Sequence, residues 1–133
     1  MHRRLDEYSS SGLMKLVVFA IGHAQLLLQE FGEEPSGAPK RVEVLFKGVI
    51  ALKVCREYGG IHIRVASDQE RHEIFQETGT AVDSGYLAWI IESNGMQGYV
   101  VALTALIYND EGRLGDRSYF RSSFHNIGIA TLD

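Results

Sequence analysis

The chain has a single cysteine, Cys55, in 133 residues. A disulfide within the chain is therefore excluded, and a reducing, cytoplasmic setting is the expectation. Prolines number two, Pro35 and Pro39, both inside Gly32–Lys40, a stretch that reads as a loop by composition. No apolar run approaches the ~20 residues that a bilayer-spanning helix needs. The run from Leu16 to Gly22 follows Lys15, but it is short for a signal-peptide core and no small-residue cleavage site follows it. No membrane partner is expected. Bases are few as well: 13 Lys and Arg stand against 17 Asp and Glu, for a net charge of −4. A duplex-binding surface needs Lys and Arg to displace counterions from phosphates, so nucleic-acid binding is not expected.

Catalytic signatures are also missing. The histidines are His2, His23, His62, His72 and His125. None forms an H-x-H, H-x-x-x-H or H-E-x-x-H pair, so no metal site is expected. The glycines form no phosphate-binding pattern, and no cofactor is implied. Cys55 and His62 flank a turn and are a candidate nucleophile pair, although a small side chain packed on a strand is the plainer reading of Cys55. Asp83 and Glu92 are candidate paired carboxylates, but acid–base work needs a cleft that raises one pKa, and a sequence shows none.

What the chain does have is strand texture. Arg41–Ala66 reads as consecutive β-strands broken at Gly48 and at Tyr58-Gly59-Gly60. Val42, Val44 and Phe46 alternate with Glu43, Leu45 and Lys47, and Ile61, Ile63 and Val65 alternate with His62, Arg64 and Ala66, which is the period of a strand. Two further strands, Tyr86–Glu92 and Gly98–Tyr108, are joined through Asn94-Gly95, a hairpin signal. Alternation puts Trp89 on one face with Leu87 and Ile91 and puts Tyr86 on the other. Ser118–Leu132 reads as the last one or two strands, broken at His125-Asn126. Ser67–Thr78 lacks alternation and fits a short helix or an irregular crossover.

The N-terminal part reads differently. Residues 1–12 look like a flexible leader. Leu13, Leu16, Val17, Ala20, Ala24, Leu27, Leu28 and Phe31 recur at helical spacing, with Ser11 suited to the cap and Gly32 to the stop. A short helix before Gly22 is expected, and residues 24–31 fit helix or strand. One domain over residues 1–133 follows from the length. The expected fold is mainly β, with α+β as the alternative: an antiparallel sandwich or partial barrel with a short N-terminal helix.

Charge is uneven. Between Ser67 and Glu92 six acids face one base, Arg71. A solvated face is the ordinary reading of such a run, and a surface that steers a basic partner is the functional one. Asp68, Glu70, Glu73 and Glu77 are the candidate binding residues. The segments VEVLFKGVIALKV, YGGIHI and AWIIESNGMQGYVVA together resemble small bacterial proteins grouped with toxin-immunity families. The resemblance covers about half the chain. It implies a fold of mostly strands that neutralises a toxin by binding it, and it carries over no binding residues.

The leading reading is a non-enzymatic protein-binding domain, acting by steric occlusion with charge raising the association rate. The second is a small-molecule binder or enzyme that uses the interior of a curled sheet, with His23, His62 or His125 lining it. A third is a protein that self-associates through an exposed strand edge.

Overall fold

The computed structural model describes residues 2–120. In chain order the strands are β1 (Arg3–Arg4), β2 (Glu7–Ala20), β3 (Gln25–Glu33), β4 (Pro39–Lys47), β5 (Ala51–Lys53), β6 (Glu57–Val65), β7 (Leu87–Ser93), β8 (Met96–Ala102) and β9 (Thr104–Asp110). The helix α1 (Asp68–Thr78) lies between β6 and β7, and a 3-10 turn (Ile21–His23) joins β2 to β3. All strands belong to one antiparallel sheet in the order β1-β9-β4-β3-β2-β6-β7-β8-β5. The mainly β, antiparallel class is as the sequence predicts. Among the described residues pairing does not close the sheet, which has β1 and β5 as its edges.

The sheet is strongly curled nonetheless. Phe46 on β4 and Trp89 on β7 are four strand steps apart, which in a flat sheet would hold them about 19 Å apart. Their rings instead meet edge to face at 5.5 Å. Both sit in one core with Met14, Leu26, Leu28, Val44, Ile63 and Ile91, all fully buried. Trp89 and Ile91 share that face with Leu87, and Tyr86 lies with the opposite face, as alternation requires.

The bend is made by β2. Its first half pairs with β6 and its second half with β3, with register shifts between Ser10 and Leu13 and between Leu16 and Val18. Such bulges turn a strand and increase its twist. The first bulge is held by Glu30, whose carboxylate accepts from Ser10 Oγ at 2.6 Å and from the Tyr8 hydroxyl at 3.1 Å. A Cβ at Gly12 would lie 2.7 Å from Glu30 Oε2, so a larger residue there would push the carboxylate aside.

Four expectations are corrected. The short N-terminal helix is the strand β2: its helical spacing spans the bulge between Leu16 and Val18, which moves the side chains to the other face. Residues 1–12 are not a free leader, since β1 pairs with β9, β2 begins at Glu7 and Leu5 is fully buried. Tyr58-Gly59-Gly60 does not break the chain but lies within β6. The run expected as one strand over Gly98–Tyr108 divides at Leu103 into β8 and β9. Residues 24–31, left open by the sequence, are almost wholly β3. His125 and the strand expected over Ser118–Leu132 fall largely outside the described residues.

The outer face of the sheet carries two covers. α1 lies over β7 and β8, with Ile74 and Phe75 against Ala88, Ile90 and Val101. The segment Gly112–Phe120 lies over the other half, with Phe120 against Ala20, Leu27 and Leu45 and Tyr119 stacked on Tyr108 at 3.6 Å. Among the described residues no helix is long and apolar enough to cross a membrane.

Candidate functional site

Sequence chemistry fixes the ends of α1. Ser67 Oγ accepts from the Glu70 amide, and the Glu70 carboxylate accepts from the Ser67 amide at 2.9 Å, a capping box. Gly79 stops the helix at φ 70°. All four predicted binding residues, Asp68, Glu70, Glu73 and Glu77, are therefore on one helix, but they do not share one role.

Glu70 is turned toward the sheet. Arg64 of β6 donates to its two oxygens at 2.7 and 2.8 Å, and Arg64 Nε donates to Glu92 Oε1 at 3.0 Å. The Arg64 guanidinium and the Ser67 amide hold the Glu70 carboxyl down at about 2. The same guanidinium lowers Glu92, and Glu70 and Glu92 in turn raise Arg64. The charge of Glu70 is thus spent inside the molecule, tying α1 to β6.

Glu73 and Glu77 remain exposed and lie four residues apart on one helix face. With Lys53, Ile74, Ile90 and Tyr99 they line a groove of about 260 Å³ between α1 and the β5–β8 side of the sheet. Gln69 donates to Glu73 at 2.8 Å. Burial first, and then the hydrogen bond to Glu77, raise the Tyr99 phenol. Arg71, the one base in this acidic segment, is engaged locally: it sits 4.5 Å over the Phe75 ring and donates to the Val82 carbonyl. Asp68 stands exposed in the first turn and does not line the groove.

The other candidates take other places. His62 lies on the outer face of β6, with Nε2 2.5 Å from Glu7 and Nδ1 3.4 Å from Glu92. Both ring nitrogens face carboxylates, which leaves Cys55 without that histidine. Cys55 is exposed, and its amide donates to the Tyr58 hydroxyl. Glu92 binds Arg64 and so has a lowered pKa, the reverse of what a general acid requires; Asp83 lies exposed in the loop before β7. His23 is on the exposed 3-10 turn and not in the core. Among the described residues no three His, Cys, Asp or Glu side chains converge as a metal site.

Sequence reasoning missed a buried polar cluster on the other half of the sheet. Glu43 is fully buried and accepts from Gln29 Nε2 at 2.7 Å, Ser118 Oγ at 2.6 Å and the Tyr119 amide at 2.7 Å. Arg41, 3% exposed, grips Asp110 through two bonds and donates to the Asp116 and Arg117 carbonyls. Burial alone would raise Asp110, but Arg41 and the Gly112 amide outweigh it and lower its pKa. One signal was present: Arg41 and Glu43, two apart on a strand, must share a face.

A scan against protein-family models, a search of curated proteins and a search of solved structures each returned no match.

Proposed function

We propose that this chain is a non-enzymatic protein-binding domain whose contact surface is the groove-facing side of α1. The observation that carries this reading is the pair of exposed carboxylates, Glu73 and Glu77, over an apolar floor of Ile74, Ile90 and Tyr99. An arginine or lysine of a partner fits there, with its stem on the floor and its charge at the carboxylates. Asp68 adds long-range attraction, and Glu70 keeps the helix in place. The partner is a basic protein, and binding acts by occlusion, as an immunity-type protein blocks a toxin. Rim charges of this kind act mainly on association rate and its salt dependence.

The test uses the tagged full chain and the double variant Glu73→Lys/Glu77→Lys. Each is purified from the cells that make the protein, at low and at moderate salt, and co-purifying proteins are identified by mass spectrometry. A stoichiometric basic partner that is lost with rising salt and lost in the double variant supports the reading. A partner retained equally by the variant places the contact elsewhere and sinks it.

A second reading is a small-molecule binder. Its original form, with a ligand inside the curl, gains no support from an inner face filled by Trp89, Phe46, Met14 and their neighbours at full burial.

A further inference from the structure

The covering segment Gly112–Phe120 crosses the outer face in one direction. Arg41, Glu43, Leu45 and Lys47 succeed one another on that face of β4, since alternate residues of a strand share a face. The segment meets them in order. Arg41 donates to the Asp116 and Arg117 carbonyls, Glu43 accepts from Ser118 Oγ and the Tyr119 amide, and Phe120 packs with Leu45, Leu27 and Ala20. Each step takes the chain one row further along the sheet, toward the β2–β3 turn.

The next row is Ala20, Gln25, Lys47 and Thr104, paired side by side across β2, β3, β4 and β9. It holds an unmatched polar atom. Gln25, two residues before Leu27, shares its face. Gln25 is 8% exposed, and its Oε1 is buried with no hydrogen-bond partner among the described residues. Neither the Lys47 ammonium nor the Thr104 hydroxyl of the same row reaches it. Buried side-chain polar atoms nearly always find a partner, and an acceptor left without one is costly. An amide oxygen needs an N–H or O–H donor.

Residues 121–133 lie outside the described residues, and they begin Arg121-Ser122-Ser123. Each of these three carries a backbone N–H and a side-chain donor. We infer that the chain after Phe120 takes the next step of the same path and docks on the row of Ala20, Gln25 and Lys47, with a donor of Arg121 or Ser122 at Gln25 Oε1. The occupant is this chain's own C-terminal segment, because the described path ends one row short of the acceptor and donors follow at once. The docked segment extends the cover of the outer face to the end of the β2–β3 ladder. It is independent of the α1 surface.

Two measurements on the full chain test this. In the ¹³C,¹⁵N-labelled protein, nuclear Overhauser contacts are expected from the Ala20 methyl and the Gln25 side-chain NH₂ to protons of Arg121 or Ser122. The second measurement is the melting temperature of Gln25→Met, which keeps the length of the side chain and removes the amide. An acceptor that has its donor is missed when it goes, so the variant should melt a few degrees lower. An acceptor that has none is a burden, and an apolar replacement then leaves the melting temperature unchanged or raises it. Should Gln25→Met not fold, the Overhauser contacts decide alone. No contact between Arg121 or Ser122 and this row, contacts from them to another part of the sheet, or a Gln25→Met protein as stable as its parent would each overturn the inference.

Discussion

Glu43 Oε2 and Gln29 Nε2 face each other across β4 and β3 at 2.7 Å, both shielded from water. The carboxylate has further donors in Ser118 and Tyr119, so one buried anion fastens the covering segment to the sheet. Glu43→Ala removes the acceptor shared by Gln29 Nε2, Ser118 Oγ and the Tyr119 amide, and the carboxylate 3.6 Å from Arg41. Breaking a buried, hydrogen-bonded charge cluster in this way costs about 3–5 kcal/mol. Urea unfolding should show that loss, and trypsin should cut faster after Arg117 than in the unaltered chain. A variant as stable and as resistant as the parent would show that the anion does not hold the segment.

The Arg64–Glu70 pair sets an acid limit. The folded-state pKa of Glu70 is about 2, against an ordinary value of 4.5. A carboxyl lowered by folding stabilises the protein above its unfolded pKa, and that stability is lost as pH falls toward the folded one. The window is therefore roughly pH 4.5 down to 2. The side chains are about a quarter exposed, so the contribution is no more than about 1 kcal/mol. Melting temperature followed across this window should decline less steeply in Glu70→Gln. Identical acid limbs in the two proteins would mean that the pair contributes nothing.

Phe46 and Trp89 test the curl itself. Phe46→Ala removes a fully buried ring that bridges distant strands, and should cost about 3–5 kcal/mol. Phe46→Leu keeps most of the volume and should cost under about 1.5 kcal/mol if the neighbours repack. Equilibrium denaturation of both variants gives the comparison. Near-equal losses would mean that ring shape, not filled volume, holds the two halves together.

Gly12 sits where the backbone of β2 bulges against Glu30. In Gly12→Ala the new Cβ meets Glu30 Oε2, and the carboxylate must move off Ser10 or Tyr8. Loss of one such bond is worth about 1 kcal/mol. Gly22→Ala is the control, since nothing lies within 4 Å of a Cβ there. The two melting curves should separate by a few degrees, and their coincidence would show that Glu30 adapts freely.

The sequence made some of this legible and hid the rest for physical reasons. Asn94 and Gly95 have φ of 50° and 79°, the left-handed pair that a tight hairpin turn needs, so the β7–β8 hairpin was visible in two letters. Ser67–Thr78 lacked strand alternation, and α1 is the short helix that was one of its two readings. β2 was hidden because Leu13, Leu16, Val17 and Ala20 follow a spacing that one bulge, between Leu16 and Val18, produces as well as a helix does. The acids of α1 were visible as charge, but the loss of Glu70 to Arg64 was not, since Arg64 comes from another element. Glu43 read as the polar side of an alternating strand, and Gln29 lay in a stretch that fitted helix or strand. Only the return of Ser118–Phe120 across that face makes them interior.

The pairing of β1 with β9 has a consequence for the order in which the molecule can assemble. Arg3 pairs with Ile107, and β9 also supplies the neighbour of β4. During synthesis β1 emerges well before β9 and must wait for its partner. Until then β4 presents an unpaired edge rich in valine, leucine and phenylalanine, the kind of template that recruits other chains. Slow arrival of β9, by slow translation or by its removal, should therefore be felt first as aggregation of the nascent protein, before any loss of stability in the finished one.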